Sequence, residues 1–324
     1  MRRIVLTLAT LVALIPVAAA NAATRANWDK SEQRTVQRAG VLTALPDGSF
    51  HGGDALTADQ FNAALSAFAQ RINKKPVAAA AGQNVTVAFF HKLVVKQVGL
   101  ADVARNVQAE AKRAGLEPPS RFGTEVVARQ LGLRFNHPTE DDAIELFPTD
   151  TITRAEAAYS FARLLSKGAG SYTYVRQLLD QFVLPTYSGD QAWALHLAVS
   201  KIGMPYIWGG ESDSTSSRYG PQAHGGYDCS GFVWRVFKLS GDPAGDGIHG
   251  RTASQMGAEV PKSKRIGYSN IGPTDLIFFG SPIYHVGIAL SDRWMIQASN
   301  QGVNVGPLFE SWRQSDFDWA RRIL

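Results

Sequence analysis

From Trp28 to about Lys167 the apolar positions recur with helical spacing, in runs that begin behind a threonine. Phe61, Leu65, Phe68 and Ile72 share one face of a helix that opens at Thr57-Ala58-Asp59-Gln60. Threonine followed three residues later by glutamine or glutamate is a capping box, in which each side chain satisfies a backbone N–H of the other residue. The plan returns at Thr86, ahead of Phe89, Phe90, Leu93 and Val94. It returns again at Thr153-Arg154-Ala155-Glu156, ahead of Tyr159, Phe161, Leu164 and Leu165. Three helix starts of one type predict stacked helical repeats, none of which buries its apolar face alone.

Beyond Ser166 the pattern changes. Lys167-Gly168-Ala169-Gly170-Ser171 and Pro185-Thr186-Tyr187-Ser188-Gly189 bracket a short helical stretch and mark a boundary. Asp190 then caps a helix carrying Trp193, Leu197 and Ile202, which Gly203 closes. Tyr206-Ile207-Trp208-Gly209-Gly210 follows, then a polar loop to Gly226, then the apolar helical run Phe232-Val233-Trp234-Arg235-Val236-Phe237. The remainder reads as strands and turns: Asp275 to Phe279, His285 to Leu290, Trp294 to Ala298, Val303 to Val305 and Trp319 to Ile323. A helix first and antiparallel strands afterwards predict an α+β domain behind an all-helical one.

The N-terminus alters the domain count. Arg2-Arg3, an apolar run from Ile4 to Val17, and Ala20-Asn21-Ala22 form the layout of a secretory signal peptide cleaved after Ala22. The run is too short to span a membrane, and no cysteine lies near the cleavage site to carry a lipid. The expected organisation is therefore a signal over 1–22, a helical repeat domain over 23–167, a linker with a short helix over 168–189, and an α+β domain over 190–324. The protein is expected to be secreted, with no stable membrane anchor. Its formal charge of +5 drops to +3 without Arg2 and Arg3. That mild excess suits an anionic envelope, and no basic cluster with interleaved aromatics points to nucleic acid.

The chain contains one cysteine, Cys229, inside Tyr227-Asp228-Cys229-Ser230-Gly231 and just ahead of the apolar helix. Exported proteins usually use cysteines in disulfide pairs, so an unpaired one is a candidate nucleophile. At a helix start, the macrodipole and free N–H groups are expected to favour the thiolate, and Asp228 or Ser230 can cap that turn. His285, at the start of one strand, is the candidate base. Gln297, on the next strand beyond the turn Ser291-Asp292, is the candidate group that orients the imidazole. No pair among Cys229, His224, His249 and His285 has metal-ligand spacing, so neither metal nor cofactor is expected.

Over roughly Asp190 to Leu324 the sequence resembles the NlpC family of cell-wall cysteine peptidases. The resemblance rests on Tyr206-x-Trp208-Gly209-Gly210, Asp228-Cys229-Ser230-Gly231, Arg251-Thr252, Asp275-Leu276-Ile277-Phe278-Phe279, His285-Val286-Gly287-Ile288 and Gln297-Ala298-Ser299. It implies a papain-like core with Cys229 as nucleophile, His285 as base and Gln297 as orienting residue. It implies a substrate site containing Tyr206, Trp208, Asp228, Ser230 and Arg251. The implied reaction is hydrolysis of peptidoglycan stem peptides between D-glutamate and a diamino acid, on stems already released from glycan. Glutamine stands at 297 where histidine is commoner, and Thr274 where glycine is usual. The helical half resembles surface-layer homology modules, at Asp47-Gly48-Ser49-Phe50 and Ile152-Thr153-Arg154-Ala155-Glu156. That resemblance implies a cell-wall polymer as a second partner, with Arg154 beside it. Two other readings stay open: a wall-binding protein with an inactive peptidase domain, and an acyltransferase that passes the thioester to an amine.

Overall fold

Three threonine-capped helices meet around a cluster of phenylalanines, and this organises the N-terminal half. The structure, a computed structural model, describes residues 28–77 and 82–324; the expected signal segment lies outside them. The helices are α1 (Lys30–Arg38), α2 (Ala58–Arg71), α3 (Val87–Val98), α4 (Ala101–Arg113), α5 (Phe122–Gln130) and α6 (Arg154–Leu179). Phe61 of α2 and Phe161 of α6 both pack on Phe90 of α3, at ring distances of 5.1 and 5.4 Å, and Phe68 meets Phe161 at 5.3 Å. The segments leading into these helices hydrogen-bond one another, Leu56 N to Ile152 O and Ile152 N to Val85 O, both at 2.9 Å.

The caps differ in detail. Thr57 and Gln60 form the full reciprocal box, and Thr86 caps Phe89 N. Thr153 accepts from Glu156 N as expected, but the Glu156 carboxylate does not turn back to the cap. It accepts instead from His137 Nε2 at 3.0 Å, so the second capping box is only half made. Arg154 is buried: it donates to Phe50 O (2.8 Å) and Thr43 O (2.6 Å) and stacks on the Phe50 ring. Its guanidinium thus serves the protein's own backbone.

Helix α6 breaks at Gly168, which takes φ 65°, a left-handed conformation glycine adopts without strain. The chain beyond it runs against the C-terminal half. Phe182 packs edge-on to Trp294, and Tyr187 donates from its hydroxyl to Leu290 O at 2.5 Å.

That half begins with α7 (Gly189–Ser200). Two short ladders shape the polar loop, β1 (Glu211–Ser212) with β4 (Gly226–Tyr227) and β2 (Ser216–Ser217) with β3 (Gly220–Pro221). Helix α8 (Cys229–Val233) continues as a wide turn over Trp234–Lys238, and α9 (Ala253–Ala258) follows. An antiparallel five-stranded sheet comes next, built from β5 (Leu276–Phe279), β6 (His285–Ala289), β7 (Trp294–Ser299), β8 (Gly302–Pro307) and β9 (Phe317–Arg321), with α10 (Ser311–Asp316) before the last strand. Its spatial order is β8-β7-β6-β5-β9. Both faces are covered. Leu276, Phe278, Val286 and Ile288 join Phe232 and Val233 of α8 in the main core, while Ile277, Phe279, Ala289 and Met295 form a second cluster. Sheet strands buried on both faces read as continuous apolar runs, as Leu-Ile-Phe-Phe does here. Thr274, just before β5, takes φ 68°, which accounts for the glycine usual at that point in the resemblance.

Candidate active site

Helix α8 starts at Cys229 because Asp228 caps it. Asp228 Oδ1 accepts from Gly231 N at 2.5 Å and from Ser230 Oγ at 3.0 Å. Gly231 allows the loop Trp208-Gly209-Gly210 to lie directly on this turn, since a Cβ there would stand 1.9 Å from Gly210 O. Arg251 locks the junction from behind. Its guanidinium reaches Asp228 Oδ1 (3.1 Å), Ser230 Oγ (3.0 Å), Glu211 Oε2 (3.0 Å) and Gly209 O (2.8 Å).

The thiol is buried, with 8% of its residue surface exposed. Burial and the Asp228 carboxylate push it up to about 11, and the N–H groups of Val286 and Ser230 oppose the rise without cancelling it. The expected bias toward thiolate is therefore absent in the resting protein. The five-residue helix start is outweighed by desolvation and by the negative charge of its own cap.

His285 opens β6. Burial takes its imidazole down to about 4; the Gln297 hydrogen bond raises it in part, and nearby Arg313 lowers it again. Burial thus favours the uncharged form of each group.

His285 Nε2 lies 2.7 Å from Gln297 Oε1. Ile288 pairs with Ile296 and Ala289 with Met295 in the β6–β7 ladder, so Gln297 sits diagonal to His285 and across from Gly287. The diagonal spacing is within reach of long side chains. On its other side Gln297 faces Asn304 of β8, its register partner, and donates from Nε2 to Asn304 Oδ1 at 3.3 Å. Asn304 Nδ2 in turn donates to Gly302 O (2.7 Å) and Ser299 Oγ (2.8 Å). A backbone carbonyl can only accept, so Gly302 O fixes which end of Asn304 faces Gln297, and hence which end of Gln297 faces the histidine. The Nε2 of His285 therefore carries hydrogen, and Nδ1 is left as the base.

Cys229, His285 and Gln297 line one cleft of about 840 Å³, with Tyr206 and Trp208 beside them. Burial and the neighbouring Cys229 raise the Tyr206 hydroxyl, keeping it a phenol. Asp228, Ser230 and Arg251 are not in that wall; they form the bonded layer beneath the helix start. The opposite wall comes from the helical half, through Arg129, Gln130, Asn136, His137 and Asp142. Two of these residues hold the Tyr206–Trp208 segment by its backbone: Asn136 Oδ1 accepts from Tyr206 N (2.9 Å) and Asp142 Oδ2 from Trp208 N (3.1 Å). Sequence reasoning missed Asn304, Asn136, Asp142 and Glu211. Only Asn304 left a local signal, a polar residue between Val303 and Val305 on a hairpin partner of Gln297. Among the described residues no cluster of His, Cys, Asp or Glu could hold a metal ion.

The arrangement is a thiol, an oriented neutral base and an open cleft. Residues 203–322 match the NlpC/P60 family. The chain is 36% identical over 115 residues to the "Probable endopeptidase p60" of Listeria grayi, covering 35% of this chain and 19% of that protein. A "Probable endopeptidase" of Mycobacterium tuberculosis is 30% identical over 141 residues, 41% of this chain and 32% of that protein. The chain thus spans about a third or less of the length of these curated relatives. Among solved structures, RipD of Mycobacterium tuberculosis, described as a non-catalytic NlpC/p60 domain protein adapted to peptidoglycan binding, covers 43% of this chain and 100% of its own at 22% identity, with a TM-score of 0.33. No helix among the described residues is long and apolar enough to cross a membrane.

Proposed function

We propose that this protein is a secreted, cell-wall-associated peptidoglycan endopeptidase that hydrolyses stem peptides at the D-glutamyl–diamino acid bond. The observation that carries the reading is the polarised relay from Gly302 O through Asn304 and Gln297 to His285, which leaves Nδ1 as acceptor in the cleft that Cys229 lines. As Cys229 Sγ attacks the scissile carbonyl carbon, its proton passes to His285 Nδ1. The C–N bond then breaks, the imidazolium returns the proton to the leaving amine, and an acyl thioester remains on Cys229. Water, deprotonated by the same imidazole, hydrolyses the thioester and frees the thiol. Gln297 accepts from Nε2–H throughout and prevents the ring from turning.

The test is mass spectrometry of wall stem peptides incubated with the protein and with Cys229→Ala. Cleavage between D-glutamate and the diamino acid is expected, and its loss in the variant. Burial of both groups, which puts the thiol up at about 11 and the imidazole down at about 4, favours one competing reading, a domain that binds wall peptides without cutting them. Retained binding with no cleavage of any stem would establish that alternative.

A further inference from the structure

Three large aromatic side chains stand in solvent around the catalytic cleft: Trp208 at 69% exposure, Tyr284 at 66% and Trp312 at 54%. All three line the cavity that contains Cys229 and His285. The protein has core positions for such residues elsewhere, since Trp234 and Trp294 are 5% and 0% exposed. Exposed aromatics gathered on one rim mark a contact surface more often than a packing accident.

Two of the rings are also fixed in place, and the third is carried on a held backbone. Trp208 is held through its backbone N–H by Asp142 at 3.1 Å. The Tyr284 hydroxyl donates to Asp316. Trp312 donates from Nε1 to Glu310 Oε2 at 2.7 Å, and the Arg313 guanidinium lies 4.2 Å from its ring centre. Rigid rings lose little entropy when something stacks on them. The wall between them is rich in amides, with Asn136, Asn300 and Gln301, and Gln301 Oε1 is a buried acceptor with no partner. A lipid would call for an unbroken apolar patch, and amide groups interrupt this one. A ring bearing hydroxyls and N-acetyl groups around an apolar C–H face matches both features: aromatic faces for the C–H surface, amides for the polar edge.

We propose that the rim of Trp208, Tyr284 and Trp312 binds amino-sugar rings of the glycan strand, so that the cleft takes stems still attached to saccharide in preference to released ones. This rests on the peptidase reading and reverses the released-stem preference implied by the sequence resemblance.

The experiment compares KM for a released stem peptide with KM for the same stem carrying its disaccharide, prepared by muramidase digestion of wall. For the native protein the saccharide-linked stem is expected to have a KM lower by about tenfold, equivalent to about 1.4 kcal/mol. Trp312→Ala, at an exposed position, is expected to bring the ratio of the two KM values close to one, and Trp312→Phe to restore most of it. Equal KM values in the native protein, or a ratio untouched by Trp312→Ala, would overturn the proposal. A tryptophan fluorescence titration of Cys229→Ala with the disaccharide alone keeps the two readings apart. Hydrolysis without saccharide binding removes the rim and leaves the peptidase; saccharide binding without hydrolysis does the reverse.

Discussion

Two buried polar networks, one in the helical half and one behind His285, hold their groups out of water in opposite ways. The network in the helical half is ionic. Glu125, fully buried, meets His91 Nδ1 at 2.8 Å and Arg129 Nη2 at 2.9 Å. Burial alone would raise its carboxyl, yet His91 and Arg129 pull it down to about 2. Arg134 pairs with Glu145, and His137 with Glu156. At the candidate active site the relay from His285 to Gly302 O contains no formal charge. Charged pairs suit a fixed scaffold, because each ion is strongly stabilised by its partner and costly to separate from it. A neutral relay suits a base that must gain and lose a proton. An amide orients imidazole without holding it permanently protonated.

Breaking the ionic side should have the largest effect. Glu125→Ala leaves Arg129 buried without its carboxylate, and the expected loss is about 3–5 kcal/mol of folding stability, read from urea unfolding. Arg129 also donates to Gly203 O at 3.2 Å, and Gly203 packs on Glu125. The damage should therefore reach the segment leading to Tyr206 and appear as reduced cooperativity across both halves. A variant as stable as the native protein would show that the cluster does not act as a clamp.

Breaking the neutral side should cost less stability, about 1–3 kcal/mol for the polar groups left unpaired, and reduce turnover. Asn304→Leu removes the acceptor for Gln297 Nε2, so the amide is no longer forced to present oxygen to His285. Loss of such an outer partner is expected to lower kcat by about tenfold or more with KM little changed, measured on stem peptides. A change confined to KM would place Asn304 in substrate binding instead.

The contrast also shows what a sequence can carry. The strands, the helix bearing Cys229 and the order Cys229, His285, Gln297 were legible because alternation, caps and motif spacing are local. The thiol's state was not. Its high value depends on how deeply the sulfur is buried and on a capping carboxylate that the sequence offered only as a favourable helix start. The Glu156 carboxylate was assigned to its own helix cap, but a histidine brought near by folding attracts it more strongly. Asn136 and Asp142 lie far from Tyr206 and Trp208 along the chain, so nothing in the periodicity could announce that the helical half forms a wall of the cleft.

Placing a charge inside the neutral relay sharpens the comparison most finely. In Gln297→Glu a carboxylate replaces the amide oxygen that accepts from His285 Nε2–H. It stabilises the imidazolium and raises the imidazole from its native value of about 4. Since His285 must be neutral to take the thiol proton, kcat/KM should hold down to about pH 4 in the native protein and fall at higher pH in the variant. A shift of about one unit corresponds to about 1.4 kcal/mol. The second carboxylate oxygen would also face Asn304 Oδ1, acceptor against acceptor, and Asn304 cannot turn because its Nδ2 is held by Gly302 O and Ser299 Oγ. Gln297→His is the control. A neutral imidazole can accept from His285 and still donate to Asn304, so the acid limb should rise by less than in Gln297→Glu. Coincident acid limbs in Gln297→Glu and the native protein would mean that Gln297 does not govern the protonation of His285. In that case the relay would be packing rather than part of the proton path.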